Sequence, residues 1–183
     1  MSRSRDVANI VTVAPSIYAT DSEVASTLTG YVTPSSSDTL TNKTLTDAAL
    51  NGAVLKSAEE VVAISATAAT GTVNIDLITS SVHYYTSDAS ANWTFNIRGD
   101  GSTTLNSILN TGASISCVFL VTNGGTAYYS TALQIDGNSV TPEWQGGSAP
   151  TSGNINSIDA YSFTIIKTAD ATFTALASQT QFA

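Results

Sequence analysis

Ile115-Ser116-Cys117-Val118-Phe119-Leu120-Val121 begins as an alternation of apolar and small polar residues and then turns apolar at every position. An alternating run has one buried face, and a run apolar on both sides belongs in the middle of a sheet. The same period of two recurs on either side. Val73, Ile75 and Leu77 alternate with Asn74 and Asp76, Trp93, Phe95 and Ile97 with Thr94 and Asn96, and Tyr161, Phe163 and Ile165 with Ser162 and Thr164. Successive strand side chains point to opposite faces, so each of these reads as a strand with one side in a core. Gly99-Asp100-Gly101, Asn123-Gly124-Gly125 and Asp136-Gly137-Asn138 punctuate the strands with residues that tolerate positive φ.

One segment departs from that period. Leu105, Ile108 and Leu109 fall at helical spacing between Ser102-Thr103-Thr104, an N-cap region, and Gly112, a C-terminal stop. A short helix across one end of the strands is the expectation. Many short strands, frequent turns and a single helix predict an all-β fold over residues 58–183. Its expected form is a compact antiparallel β-sandwich of jelly-roll kind, with a small barrel as the alternative.

Upstream the pattern changes. Val7, Ile10 and Val11 form a brief helix-like spacing that Pro15 ends, too short to fold alone. With Arg3 and Arg5 these residues are the candidate contacts of a docking segment, residues 1–37. Residues 38–57 read as a connector or shaft, in which Thr39-Leu40-Thr41 and Thr44-Leu45-Thr46 flank Asn42-Lys43. Leu40 and Leu45 are the candidate contacts between sister chains. Residues 48–55 read as a helical turn or two, weakened by Gly52.

Composition narrows the function classes. Only 11% of the 183 residues are charged, against roughly 25% in an average globular protein, and Thr, Ser, Asn and Ala take their place. Six Lys and Arg against fourteen Asp and Glu leave a formal charge of −8, and beyond Lys56 the only cations are Arg98 and Lys167. Nothing there would neutralise a phosphate backbone, so nucleic acid is not an expected partner. A single cysteine, Cys117, rules out an intramolecular disulfide. No run is long and apolar enough to span a bilayer, and the N-terminus lacks a signal-peptide core, so no membrane insertion and assembly in a cytoplasm are expected.

Catalytic signatures are poor. The one histidine, His83, sits on a strand, where it reads as a satisfied side chain; Cys117 reads as a small buried hydrophobe. One His and one Cys cannot build a usual zinc cluster. Asp136-Gly137-Asn138 reads as a hairpin turn, since it lacks the further acidic positions of a calcium loop. Arg98-Gly99-Asp100 spells an adhesion tripeptide, but the turn accounts for it. A glycan-cleaving site would need Asp136, Glu143 and Asp159 to converge. The expectation is a protein without enzymatic activity, metal or cofactor. Trp144, beside Glu143 and Gln145, together with Tyr128 and Tyr129, is the candidate surface for stacking on a sugar; the competing role for Trp144 is to plug the sandwich end or an interface.

Asp38 to Asp47, D-T-L-T-N-K-T-L-T-D, resembles a motif of tailed-bacteriophage fibre proteins. The stretch from Ile64 to Ala183, including Trp93 to Gly99, Ala132 to Gly137, Trp144 to Gly147 and Leu176 to Ala183, is similar to a domain of virion structural and tail-fibre-like proteins, particularly of cyanophages. Ser2-Arg3-Ser4-Arg5-Asp6 also resembles the start of such proteins. The resemblance implies a virion protein, a homotrimeric fibre whose N-terminus binds other virion proteins, with a thin shaft and a C-terminal knob. It carries no catalytic residues across. Recognition of a host cell-surface glycan by the knob is the alternative role.

Overall fold

The computed structural model describes residues 41–44 and 48–182, and the chain divides into two units, Met1–Val54 and Leu55–Ala183. The candidate docking contacts Arg3, Arg5, Val7, Ile10 and Val11 and the candidate shaft contacts Leu40 and Leu45 lie outside the described residues. Residues 48–55 are irregular, not helical, and Gly52 takes φ 65° there. A left-handed residue in the middle of a short, solvent-exposed run stops a helix from nucleating.

Ten strands build the second unit: β1 (Val62–Ala68), β2 (Gly71–Asp76), β3 (Val82–Ser87), β4 (Trp93–Arg98), β5 (Ser114–Asn123), β6 (Ser130–Ile135), β7 (Asn138–Val140), β8 (Glu143–Trp144), β9 (Ser157–Ala169) and β10 (Thr172–Phe182). The only α-helix among the described residues, α1, is Leu105–Ile108, and a single 3-10 turn spans Gln145–Gly147. They form a six-stranded sheet in the order β1-β3-β5-β9-β10-β8 and a four-stranded sheet in the order β2-β4-β6-β7. The expected all-β fold is present. The strand predicted to be central, β5, lies between β3 and β9.

The connectivity corrects the expected antiparallel, jelly-roll-like arrangement. β1, β3 and β5 pair in parallel, as do β2, β4 and β6, and β8 is parallel to β10. From β1 to β6 the chain alternates between the sheets, so each strand lies beside the one two further on. The result is three turns of a flattened coil, in which the crossover that parallel strands require is a strand of the opposite sheet. Only the C-terminal part is antiparallel, with β5-β9, β9-β10 and β6-β7. Alternation of apolar residues says which side chains share a face and is blind to the direction of the neighbouring strand.

The sheets meet through a single apolar core. Val73, Ile75, Trp93, Phe95, Ile97, Leu133 and Ile135 come from one side, and Cys117, Phe119, Val121, Tyr161, Phe163, Ile165 and Ala177 from the other. Phe95 stands in the middle, its ring 5.0 Å from Phe119, 5.2 Å from Tyr161 and 5.1 Å from Phe163 in edge-on contacts. Such geometry aligns the positive edge of one ring with the negative face of another.

The helix is held by its own N-cap, by the turn between β6 and β7 and by β9. Thr104 caps it by accepting from the Ser107 amide, and the Asp136 carboxylate accepts from the amides of Leu105 at 2.7 Å and Asn106 at 2.9 Å. Lys167 donates to the Asn106 carbonyl at 2.6 Å. An acid at the free amides and a cation at a free carbonyl match the two ends of a helix dipole. The outer face of the four-stranded sheet carries a polar row: Asn74, Asn96 and Gln134 are cross-strand neighbours, and Asn96 donates to Asn74 at 2.8 Å.

Candidate binding groove

Asp136-Gly137 is a two-residue turn with φ of 51° and 78°, which folds β6 back onto β7 in the register Ile135↔Asn138. Two left-handed residues match the twist of a tight hairpin. The chain then crosses Thr141 and Pro142 and enters β8, where Glu143 and Trp144 pair with Leu176 and Ala177 of β10. That pairing sets Trp144 at the rim of the core, half-buried, its ring edge-on to Phe163 at 6.4 Å.

Trp144 thereby borders two depressions. The first, about 530 Å³, is lined by Tyr129, Leu133, Val140, Pro142, Trp144 and Pro150, with Ser130, Thr131 and Ser139 supplying hydroxyls. The second, about 420 Å³, sets Trp144 beside Glu143, Gln145, Ser162, Thr164 and Ser178. Two of the three aromatic candidates, Trp144 and Tyr129, share the first groove, and the Glu and Gln predicted to flank the indole share the second. Tyr128 lines neither. It packs on the core, and its backbone is clamped by Asn123, whose Oδ1 accepts from the Tyr128 amide and whose Nδ2 donates to the Tyr128 carbonyl.

That clamp belongs to a buried polar cluster which strand periodicity does not announce. Asp159 is fully buried, and its Oδ2 accepts from Asn123 at 3.1 Å, from the Asn154 amide at 3.0 Å and from Gln179 at 3.4 Å. Burial raises the Asp159 pKa above the usual carboxylate range, although these donors pull the other way. Gln179 also donates to the Tyr161 hydroxyl, which accepts from the Ser130 amide. Gly153 packs into the cluster so tightly that a Cβ would meet the Tyr128 carbonyl and the side chains of Asn123 and Asp159. The cluster ties the Asn154 loop to β5, β9 and β10.

The remaining groups with chemical potential are occupied by the fold. His83 is buried with Nε2 donating to the Ser80 carbonyl at 2.9 Å, and burial pushes the Cys117 thiol up to about 12. Arg98 forms an ion pair with Asp76 at 2.6 Å, and Asp100 accepts from the amides of Ser102 and Thr103, so the adhesion-like tripeptide is turned to internal structure. Asp136 caps α1, Asp159 is sealed in its cluster and Glu143 is exposed, three different settings for the candidate acids. Among the described residues no three His, Cys, Asp or Glu side chains gather as a metal site, and no helix is long and apolar enough to cross a membrane. No protein-family model, curated protein or solved structure matches the chain.

Proposed function

We propose that this chain is a non-enzymatic structural protein of a tailed-bacteriophage virion: a short homotrimeric fibre, held to other virion proteins by its N-terminal segment, with the β-rich unit as its knob. The observation that carries this reading is the use to which reactive residues are put. His83, Cys117, Asp136, Asp159, Arg98 and Lys167 each pack or bond within the fold. A protein built this way serves by shape and cohesion. Leu50, Val54, Leu55 and Val61, exposed by 58%, 82%, 71% and 75%, add support, because a run of apolar side chains left in water favours association with other chains. The knob and shaft of the fibre and its place on the virion belong to this proposal.

Sedimentation at micromolar concentration tests it. A mass of three chains is expected, and a compact monomer would defeat the trimer. Antibody labelling of the phage particle that carries the protein should then place it on an appendage.

A second reading, recognition of a host-surface glycan, is favoured by the half-buried Trp144 lining the same groove as Tyr129 and several hydroxyls. Aromatic faces take the apolar side of a sugar ring while hydroxyls and amides take its polar groups. Host envelope polysaccharide should bind the wild type and lose affinity for Trp144→Ala. Unchanged binding in that variant would remove this role and leave the structural one standing.

A further inference from the structure

The outer face of the six-stranded sheet has a composition unlike the rest of this acidic chain. Across β1, β3, β5, β9 and β10 the only charged residues are Asp159 and Lys167, and both are buried. The residues that alternate with the core positions form two apolar cross-strand rows. One runs Val62, Val82, Val118 and the other Ile64, Tyr84, Leu120, Ala160. Ser162 and Ser178 extend the first row and Thr180 the second. Val62, Ile64, Leu176 and Phe182 are exposed by 40%, 70%, 45% and 54%. The nearest charge along β8 is Glu143, beside Leu176. A solvent-facing side of a sheet ordinarily carries polar and charged residues.

We infer that this face is the surface on which a second copy of the chain packs, so that the identical sheet faces of the oligomer meet one another. The inference rests on the oligomeric part of the proposed function and names its interface. Charge selects the occupant. With a formal net charge of −8, two copies repel wherever their acidic surfaces approach, and a cationic partner would be drawn to those surfaces and not to this one. Away from Glu143 at the β8 edge the face carries no exposed charge, so copies that turn it toward a common threefold axis meet without desolvating an ion. The size is adequate. At about 3.3 Å per residue and about 4.8 Å between strands, the five strands cover about 700 Å² in projection, of the order of the roughly 800 Å² per partner found in stable interfaces.

The test uses the full chain. Ile64→Glu/Leu176→Glu puts two carboxylates on this face, and Thr72→Glu/Asn138→Glu adds the same charge to exposed positions of the four-stranded sheet. Circular dichroism checks that both variants fold. Sedimentation across a dilution series should show association of the first variant weakened by about tenfold or more, as expected for a buried unpaired charge, and association of the second unchanged. Equal association in both overturns the interface while the oligomer stands; a wild type that is monomeric throughout removes the oligomer and this interface together. Hydroxyl-radical footprinting of the wild type supplies an independent readout. Tyr84, Leu176 and Phe182 should be protected at high concentration and become reactive on dilution. Protection that persists where sedimentation shows monomer would mean that the face is covered from within its own chain, and reactivity where sedimentation shows the oligomer would mean that it is not covered at all; either result overturns the inference.

Discussion

On the outer side of the four-stranded sheet, Asn74, Asn96 and Gln134 stand in one row and Asp76 faces Arg98 in another; on the outer side of the six-stranded sheet, the matching rows are Val62, Val82, Val118 and Ile64, Tyr84, Leu120. Both sheets send their other side into one core. Alternation therefore decides what is buried on folding and leaves the opposite positions open to a second requirement. One sheet meets that requirement with hydrogen-bonded amides and an ion pair. The other sets valine, isoleucine, tyrosine and leucine there, among serines and threonines, with no exposed charge on β1, β3, β5, β9 or β10.

The comparison can be broken most forcefully at the core that both sheets share. Phe95→Ala removes the ring wedged between Phe119, Tyr161 and Phe163 and should cost about 3–5 kcal/mol in urea unfolding. A loss below about 1 kcal/mol would mean that the sheets are not held by one core. Next in size is a paired substitution that adds leucine to each outer face. Asn96→Leu leaves the Asn74 side-chain oxygen Oδ1 and the Gly137 amide without their partner and should cost about 1–3 kcal/mol. Ser162→Leu, at an exposed position of the other face, should stay within about 0.5 kcal/mol. Equal losses would erase the distinction between the faces as far as the monomer's stability is concerned.

The smallest effect is read at Asp159. Its folded-state pKa is raised by burial, so the folded protein holds this proton more tightly than the unfolded chain does. The stability it contributes is present at acid pH, below the ordinary carboxylate range, and is lost as pH rises through the folded value. Asp159→Asn keeps an oxygen for Asn123, Asn154 and Gln179 without the charge. The variant should match the wild type in thermal unfolding at acid pH and melt higher at neutral pH. A wild type that melts higher at neutral pH would show that the donors outweigh burial.

Local signals were legible in the sequence wherever a few neighbouring residues determine the outcome. Val73 and Ile75 or Tyr161 and Phe163 declare strands, Asp136-Gly137 declares a hairpin, and Thr104 with Leu105 declares the helix start. Strand order was not legible, because nothing in Ile64 specifies Tyr84 as its neighbour or a parallel direction for it. The groove was legible in half. Trp144 stood out by its polar and glycine neighbours, but its approach to Tyr129 depends on the β6-β7 hairpin and on the β8-β10 pairing, and the core packing of Tyr128 depends on Asn123. The uncharged face could have been found by asking which strands contain no Lys, Arg, Asp or Glu outside their core positions.

The coil of β1 to β6 is open at its N-terminal end, where β1 and β2 are the edge strands of their respective sheets. Successive windings differ in length: Val62 pairs with Val82, 82 − 62 = 20 residues on, and Gly71 with Trp93, 93 − 71 = 22 residues on, whereas Val82 pairs with Val118, 118 − 82 = 36 residues on, and Trp93 with Ser130, 130 − 93 = 37 residues on. Both longer intervals contain the segment between β4 and β5 that carries α1. The added residues enter outside the sheets, so a crossover of this coil can lengthen and carry a helix while Ile64, Tyr84 and Leu120 keep their places in one row.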